Sequence, residues 1–202
     1  SVAAAFAAAA HVARLDLVNN RVVVSAMEPR SAIASYDAAT QRWTFNAGSQ
    51  GAFGLRNQIA NDILKVKPDQ VRVLTGHVGG SFGMKASVYP EYIALLHAAR
   101  ALGRPVKWTD ERAESFVSDH HGRDSDVTGE LALDAEGRFL AVRITGFGNS
   151  GAWLTTAGPL PQTLNIVKNV IGGYRTPLVE VSVKCVFTNT VGRTAYRGPW
   201  QY

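Results

Sequence analysis

The stretch best suited to chemistry is 75–85, TGHVGGSFGMK, where Gly76, Gly79, Gly80 and Gly83 crowd into eleven residues. Glycines at this density let the backbone take positive φ and bring unobstructed amide N–H groups close to a bound anion or oxo group. An extended run at 71–75 precedes the loop and a helix over 90–102 is predicted after it, a common arrangement for holding anions. A tight strand-to-helix connection that binds nothing fits the glycines equally well. Two nucleotide motifs are excluded. A P-loop needs GxxxxGK and then Ser or Thr, but Lys85 lies between Met84 and Ala86, and the glycine spacing fails GxGxxG.

Other residues carry weaker signals. Gln50, in GSQG (48–51), reads as an amide donor or as the cap of the helix that follows. His120 and His121, with Asp119 and Asp124 nearby, are metal-ligand types, but adjacent histidines on a polar segment read as solvated. Glu28 and Arg30 in MEPR read as a buried structural ion pair or a turn. His77 could line a pocket formed by the glycine loop. Phe147, Trp153 and Trp200 read as core.

Composition bounds the rest. A chain of 202 residues with 46% hydrophobic and 18% charged residues is long enough and apolar enough to bury a core. The net charge of +5 is mild and its basic residues are scattered, so nothing supports a nucleic-acid surface. Cys185 stands alone and can neither close an internal disulfide nor hold an iron–sulfur cluster unaided. No apolar run approaches the roughly 18 residues of a membrane span. SVAAAFAAAAHVA at the start lacks a basic flank and reads as an alanine-rich helix, not a secretory signal.

These residues must be positioned by a mixture of strands and helices. After the helix at 2–10, LDLVNNRVVVSA predicts a pair of strands parted by Asn19 and Asn20. A hairpin is expected from 32–36 and 42–47, then a helix over 53–64 with Phe53, Ile59 and Ile63 on its apolar side. Strand 70–75 leads into the glycine loop, and Pro90 opens the next helix, which Gly103 and Pro105 stop. A short strand at 105–109 and one or two helical turns in ERAESFVS follow. The clearest hairpin joins 127–133 to 138–146 through DAEG. A Gly/Ser/Thr/Pro-rich loop at 149–173 and a last strand at 179–187 complete the chain. The class is α+β, with mixed and antiparallel sheets and packed helices. The layout expected is a strand-rich layer at 1–47 and an α+β portion at 48–202 holding the loop at 76–83. Gln50 and the Phe82–Gly83 backbone are predicted to converge, provided that the strands before them share a sheet.

Taken in order, MEPR (27–30), GSQG (48–51), GGSFGMK (79–85), GRPVKWTDERAESF (103–116), HHGRD (120–124) and AYRG (195–198) resemble the molybdenum-cofactor-binding large subunit of the xanthine dehydrogenase and aldehyde oxidase family. The resemblance runs from end to end. It implies that residues 1–202 are part of a molybdenum-cofactor-binding domain, and that the family's general-base glutamate lies in a C-terminal half beyond them. The isolated chain is therefore expected to be inactive. Residue by residue, the resemblance implies that Gly80, Ser81, Phe82 and Gly83 lie beside molybdenum, with the Phe82–Gly83 backbone near an oxo ligand. Gln50 would approach the same oxo group, and Arg197 with Gly198 would line the cofactor pocket. The implied cofactor is molybdenum with molybdopterin or its cytosine dinucleotide, with 2Fe-2S clusters and FAD on partner subunits or domains. The implied partners are the remainder of the large subunit, an iron–sulfur subunit and an FAD subunit, in a cytoplasmic complex. The implied reaction is hydroxylation of an aldehyde or aromatic N-heterocycle with oxygen from water; a non-catalytic cofactor-holding or assembly module is the alternative.

Three positions depart from the family pattern. Ser81 stands where many relatives have a third glycine, and Ala86 replaces a glutamate of purine-oxidising relatives. Gly198 replaces the cysteine that copper-containing carbon monoxide dehydrogenases carry after AYR. A purine substrate and a copper–molybdenum centre are therefore not expected.

Overall fold

A computed structural model describes residues 1–198. In chain order its helices and strands are α1 (Val2–Ala8), β1 (His11–Asn19), β2 (Ser31–Asp37), β3 (Arg42–Ala47), α2 (Ala52–Asn57), β4 (Val71–Leu74), α3 (Pro90–Leu102), β5 (Val106–Thr109), α4 (Arg112–Ser118), β6 (Ser125–Leu133), β7 (Phe139–Gly151), α5 (Leu164–Asn169) and β8 (Leu178–Phe187). They divide into two compact units. One is Val23–Asp119; the other joins Ser1–Val22 to the chain from His120 onward. The expected α+β class is observed, but the strands of 1–47 do not form one layer, because β1 joins one sheet and β2 with β3 another.

In Val23–Asp119 the sheet order is β4-β3-β2-β5. β3 shows why this segment is a strand: Trp43, Phe45 and Ala47 are buried while Thr44 and Asn46 between them are not, the period-2 signature of a half-covered sheet. Ala32 and Ala34 of β2 are buried too, and small side chains there leave room for α3 to pack on that strand. α3 supplies Tyr92, Leu95, Leu96 and Ala99, begins with Pro90 at its first turn, and ends at Gly103 in the left-handed conformation (φ 62°). Phe45 meets Tyr92 edge-on with ring centroids 5.1 Å apart, a geometry that suits the aromatic quadrupoles. The helix expected at 53–64 is α2 continued by a π-helical turn, Gln58–Leu64. Leu55, Ile59 and Ala60 form its buried side. Phe53, expected among the apolar contacts, is instead 74% exposed, with the Arg56 guanidinium 5.2 Å from its ring centroid.

The other unit is built on the sheet β1-β6-β7-β8, antiparallel except for the parallel β7–β8 pair. The β6–β7 hairpin is present as expected. Asp134 Oδ1 accepts from the amides of Glu136 and Arg138, and Gly137 turns the chain at φ 81°. Nothing would obstruct a Cβ at Gly137, so only the backbone conformation disfavours a side chain there. Gly137→Ala is accordingly expected to destabilise the hairpin by about 1–2 kcal/mol, the usual penalty for an L-residue in that region. Urea unfolding of the variant checks this, and an unchanged midpoint would refute it.

The second strand expected in LDLVNNRVVVSA does not form. Val22 makes only an isolated bridge to Gly122, after which the chain leaves one unit and enters the other. Val24 and Ala26 are nonetheless buried, so the apolar run reflects burial without ladder pairing. In the Gly/Pro-rich stretch, β7 reaches Gly151 and α5 forms at Leu164–Asn169, both inside the expected loop. Phe147 and Trp153 are 53% and 45% exposed, which corrects their reading as core; Trp200 lies outside the described residues. Among the described residues, no helix is long and apolar enough to cross a membrane.

Candidate cofactor site

The glycine loop and Gln50 meet because their strands are parallel neighbours. β3 and β4 run side by side, with Asn46 paired to Leu74, so the segments that follow them leave the sheet at the same end. Ser49 and Thr75 join those exits: their hydroxyls lie 2.7 Å apart, and Thr75 also donates to the Ala47 carbonyl. The predicted convergence of Gln50 on Phe82–Gly83 is therefore present.

The contact is specific. Gln50 Oε1 accepts from the Gly83 amide at 2.9 Å and from the Ser81 hydroxyl at 2.6 Å, while the Gln50 amide donates to the Lys85 carbonyl at 3.1 Å. An amide side chain can be placed in two orientations, and here the backbone decides. The Gly83 N–H can only donate, so the oxygen must face it and Nε2 is left as the outward donor. With the oxygen so placed, the Ser81 hydroxyl donates to it as well, a second bond that a third glycine could not make.

The loop backbone is shaped for close approach. Gly80 and Gly83 adopt φ values of 106° and 104°. Phe82 stands between them at φ 50°, a left-handed conformation rare for an aromatic residue, and strain of this kind is typical of ligand-holding loops. A Cβ on Gly79 would lie 2.6 Å from the Glu28 Cβ, and one on Gly80 would lie 2.9 Å from the Phe82 ring. Space therefore requires glycine at 79, and the φ of 106° favours it at 80.

Glu28 is the participant whose part sequence reasoning missed. Its Oε2 accepts from the Gly79 amide at 2.9 Å and from Lys85 Nζ at 2.7 Å, and Lys85 Nζ also donates to the Glu28 carbonyl. The hydrogen bond from Lys85, seconded by that from Gly79, holds the Glu28 carboxyl below its ordinary value near 4.5. Glu28 does form an ion pair, as expected of MEPR, but not with Arg30. Arg30 is fully buried and holds Asp119 at 2.5 Å and Glu91 at 2.9 Å, with its guanidinium 3.7 Å from the Tyr89 ring centroid. His77 is exposed in the loop and, with Glu28 and Lys107, lines a cleft of about 220 Å³.

Arg197 and Gly198 belong to the other unit. Arg197 is exposed, its carbonyl accepts from Arg123 at 3.0 Å, and Gly198 takes φ 70°. The HHGRD and AYRG motifs interlock there: a Cβ on Gly122 would fall 2.2 Å from the Tyr196 Cβ, and the Arg123 guanidinium lies 5.4 Å from the Tyr196 ring centroid. His120 and His121 are buried, not solvated as expected. The acids beside them are already engaged, Asp119 with Arg30 and Asp124 with Arg21, and no group of three or more His, Cys, Asp or Glu able to hold a metal occurs among the described residues.

Comparison with known proteins fixes the family. The model of the molybdopterin cofactor-binding domain matches residues 1–202. The chain belongs to this family. It is 39% identical over 198 residues to the 6-hydroxypseudooxynicotine dehydrogenase complex subunit gamma of Paenarthrobacter nicotinovorans, covering 98% of this chain and 25% of that protein. It is 32% identical over 178 residues to the carbon monoxide dehydrogenase large chain of Hydrogenophaga pseudoflava, covering 88% of this chain and 22% of that one. Among solved structures it is similar to quinoline 2-oxidoreductase from Pseudomonas putida 86, with a TM-score of 0.90 and 32% identity over 98% of this chain and 25% of that one. The molybdopterin-domain chain thus spans about a quarter of the length of the curated relatives it matches.

Proposed function

We propose that this molybdopterin-domain chain forms one wall of the molybdenum–pterin site in the large subunit of a hydroxylating oxidoreductase. The observation that carries the reading is the orientation of Gln50: Gly83 captures its oxygen, which leaves Nε2 as a fixed donor on the glycine loop. The residues present fit an anionic, oxygen-rich group. Gln50 Nε2 is left to donate once Gly83 holds the side-chain oxygen, and the charge of the neighbouring Glu28 carboxylate is offset by Lys85. Gln50, Gly80, Ser81, Phe82 and Gly83 would hold the cofactor, and Arg197 and Gly198 are proposed as cofactor contacts on the AYRG resemblance alone. When bound, the cofactor supplies two-electron redox chemistry. The chain's own part is to donate hydrogen bonds, orient the group and keep a carboxylate from facing it.

The substrate class we propose is an aromatic N-heterocycle or an aldehyde, hydroxylated with oxygen from water. Supporting this are a relative named for quinoline, one named for 6-hydroxypseudooxynicotine, and Ala86 in place of the purine-associated glutamate. We further propose that electrons leave through 2Fe-2S and FAD partners, in keeping with the relative named as one subunit of a complex. The test is to purify the native complex containing this chain and measure molybdenum and released pterin. About one of each per chain is expected; a complex lacking both would refute the reading.

A further inference from the structure

The proposed site leaves one question about the loop itself: what holds seven residues, three of them glycine, in a single conformation. Neither strand nor helix does so. Between β4 and α3 the chain has only the short turn Met84–Ala86 as regular structure.

We propose that Glu28 is the positioning residue of the glycine loop, one carboxylate oxygen tying the loop's entrance at Gly79 to its exit at Lys85 and thereby setting the contact of Gln50 with Gly83. The inference rests on the function proposed above for its catalytic consequence, though not for its geometry. Oε2 accepts from both ends at once, 2.9 Å from the Gly79 amide and 2.7 Å from Lys85 Nζ. The Glu28 amide returns a bond to the Gly79 carbonyl at 3.2 Å, so residue 28 grips Gly79 from both sides of its peptide. The approach is close enough that a methyl group at Gly79 would collide with the Glu28 side chain.

The exit is held as firmly. Lys85 is 3% exposed, and a buried ammonium without its carboxylate is costly, so the pair resists separation. The carbonyl of that same Lys85 accepts the Gln50 amide, and Gln50 in turn accepts from Gly83. A closed circuit results: Glu28 fixes Lys85, Lys85 fixes the Gln50 backbone, and Gln50 fixes the middle of the loop. Displacing Glu28 releases both ends and moves the donor that the site presents. Ser81, between the ends, donates to Gln50 and accepts at its carbonyl from the Met84 amide, so it is held by residues that the circuit itself fixes.

The test is hydrogen exchange on the native complex, read in the peptide spanning 79–85, with Glu28→Gln. Exchange there is expected to rise about tenfold or more, the effect of losing a charge-assisted hydrogen bond, while peptides of the β6–β7 hairpin keep their wild-type rates. Should that variant fail to assemble, Glu28→Gln with Lys85→Met removes both charges and keeps the lysine's apolar volume. In it exchange at 83–85 should rise while Gly79, still facing an amide oxygen, stays protected. Unchanged exchange at 79–85 in an assembled variant, or an even rise across all of Val23–Asp119, would overturn the proposal. In loaded enzyme, adding Glu28→Gln to Gln50→Ala should lower turnover no further than Gln50→Ala alone, because Glu28 acts through Gln50. Additive losses would overturn the proposal as well. Wild-type complex devoid of molybdenum and pterin would sink the functional reading instead, and leave the exchange results to decide the role of Glu28.

Discussion

Gln50→Ala in the assembled, cofactor-loaded enzyme is expected to lower turnover by about 10- to 1000-fold, the range seen when one preorganised donor is removed from a developing charge. The fold should survive. Gln50 is exposed, and among the described residues its side chain bonds to Ser81 and Gly83, so its loss leaves no buried group of its own behind. The Gly83 amide loses its acceptor, and the loop should therefore loosen locally. Gln50→Glu separates the two roles of the side chain: it keeps an oxygen for Gly83 and replaces the outward donor by a second acceptor. If donation is what matters, Gln50→Glu should be as slow as Gln50→Ala while the loop stays ordered. Wild-type turnover in Gln50→Ala at full molybdenum occupancy would remove this residue from the mechanism.

A second large effect is expected at Arg30, on stability. Its guanidinium lies fully buried among Asp119, Glu91 and Asp110, the last at 3.7 Å, and is sandwiched near the Tyr89 and Trp108 rings. Burial by itself would lower its pKa, but hydrogen bonds and charge from Glu91 outweigh that and hold it above the ordinary value. Burial pushes the Asp119 carboxyl the other way, up from 3.8, with Arg30 opposing. Arg30→Met removes the cation that those carboxylates share and should destabilise the unit by about 3–5 kcal/mol. Arg30→Lys should recover little of this, since an ammonium cannot reproduce the planar fork that bonds Asp119 and Glu91 together. Urea unfolding followed by tryptophan fluorescence reads the outcome; a loss under 1 kcal/mol would show that the cluster is dispensable.

What the sequence revealed and what it hid follow from distance along the chain. The β6–β7 hairpin was legible because its signal is local: alternation on both sides of DAEG, and a glycine where the turn needs one. α3 was legible for the same reason, with Pro90 and Gly103 marking its ends. The convergence of Gln50 on the loop was reachable because parallel strands send their following loops to one end. Glu28 was not, because the residues it holds lie 51 and 57 positions away and no spacing rule joins them. Arg30 and Asp119 are 89 positions apart, and only burial shows that they pair. The missing strand at 21–26 failed for a different reason: an apolar run reports which side chains are covered, not whether the backbone finds a partner.

The interrupted course of the chain bears on how it is synthesised. Every strand of the Val23–Asp119 sheet is encoded within that one continuous segment, so the sheet can close as soon as the segment has left the ribosome. β1 has no such opportunity. Its Asp16 pairs with Thr128, 112 residues later, an interval of about 6–20 s at ordinary translation speeds. Throughout that wait Val12, Leu15, Leu17 and Val18 lack their β6 partner, and apolar side chains on an unpaired strand are the kind of segment that aggregates before its sheet can close.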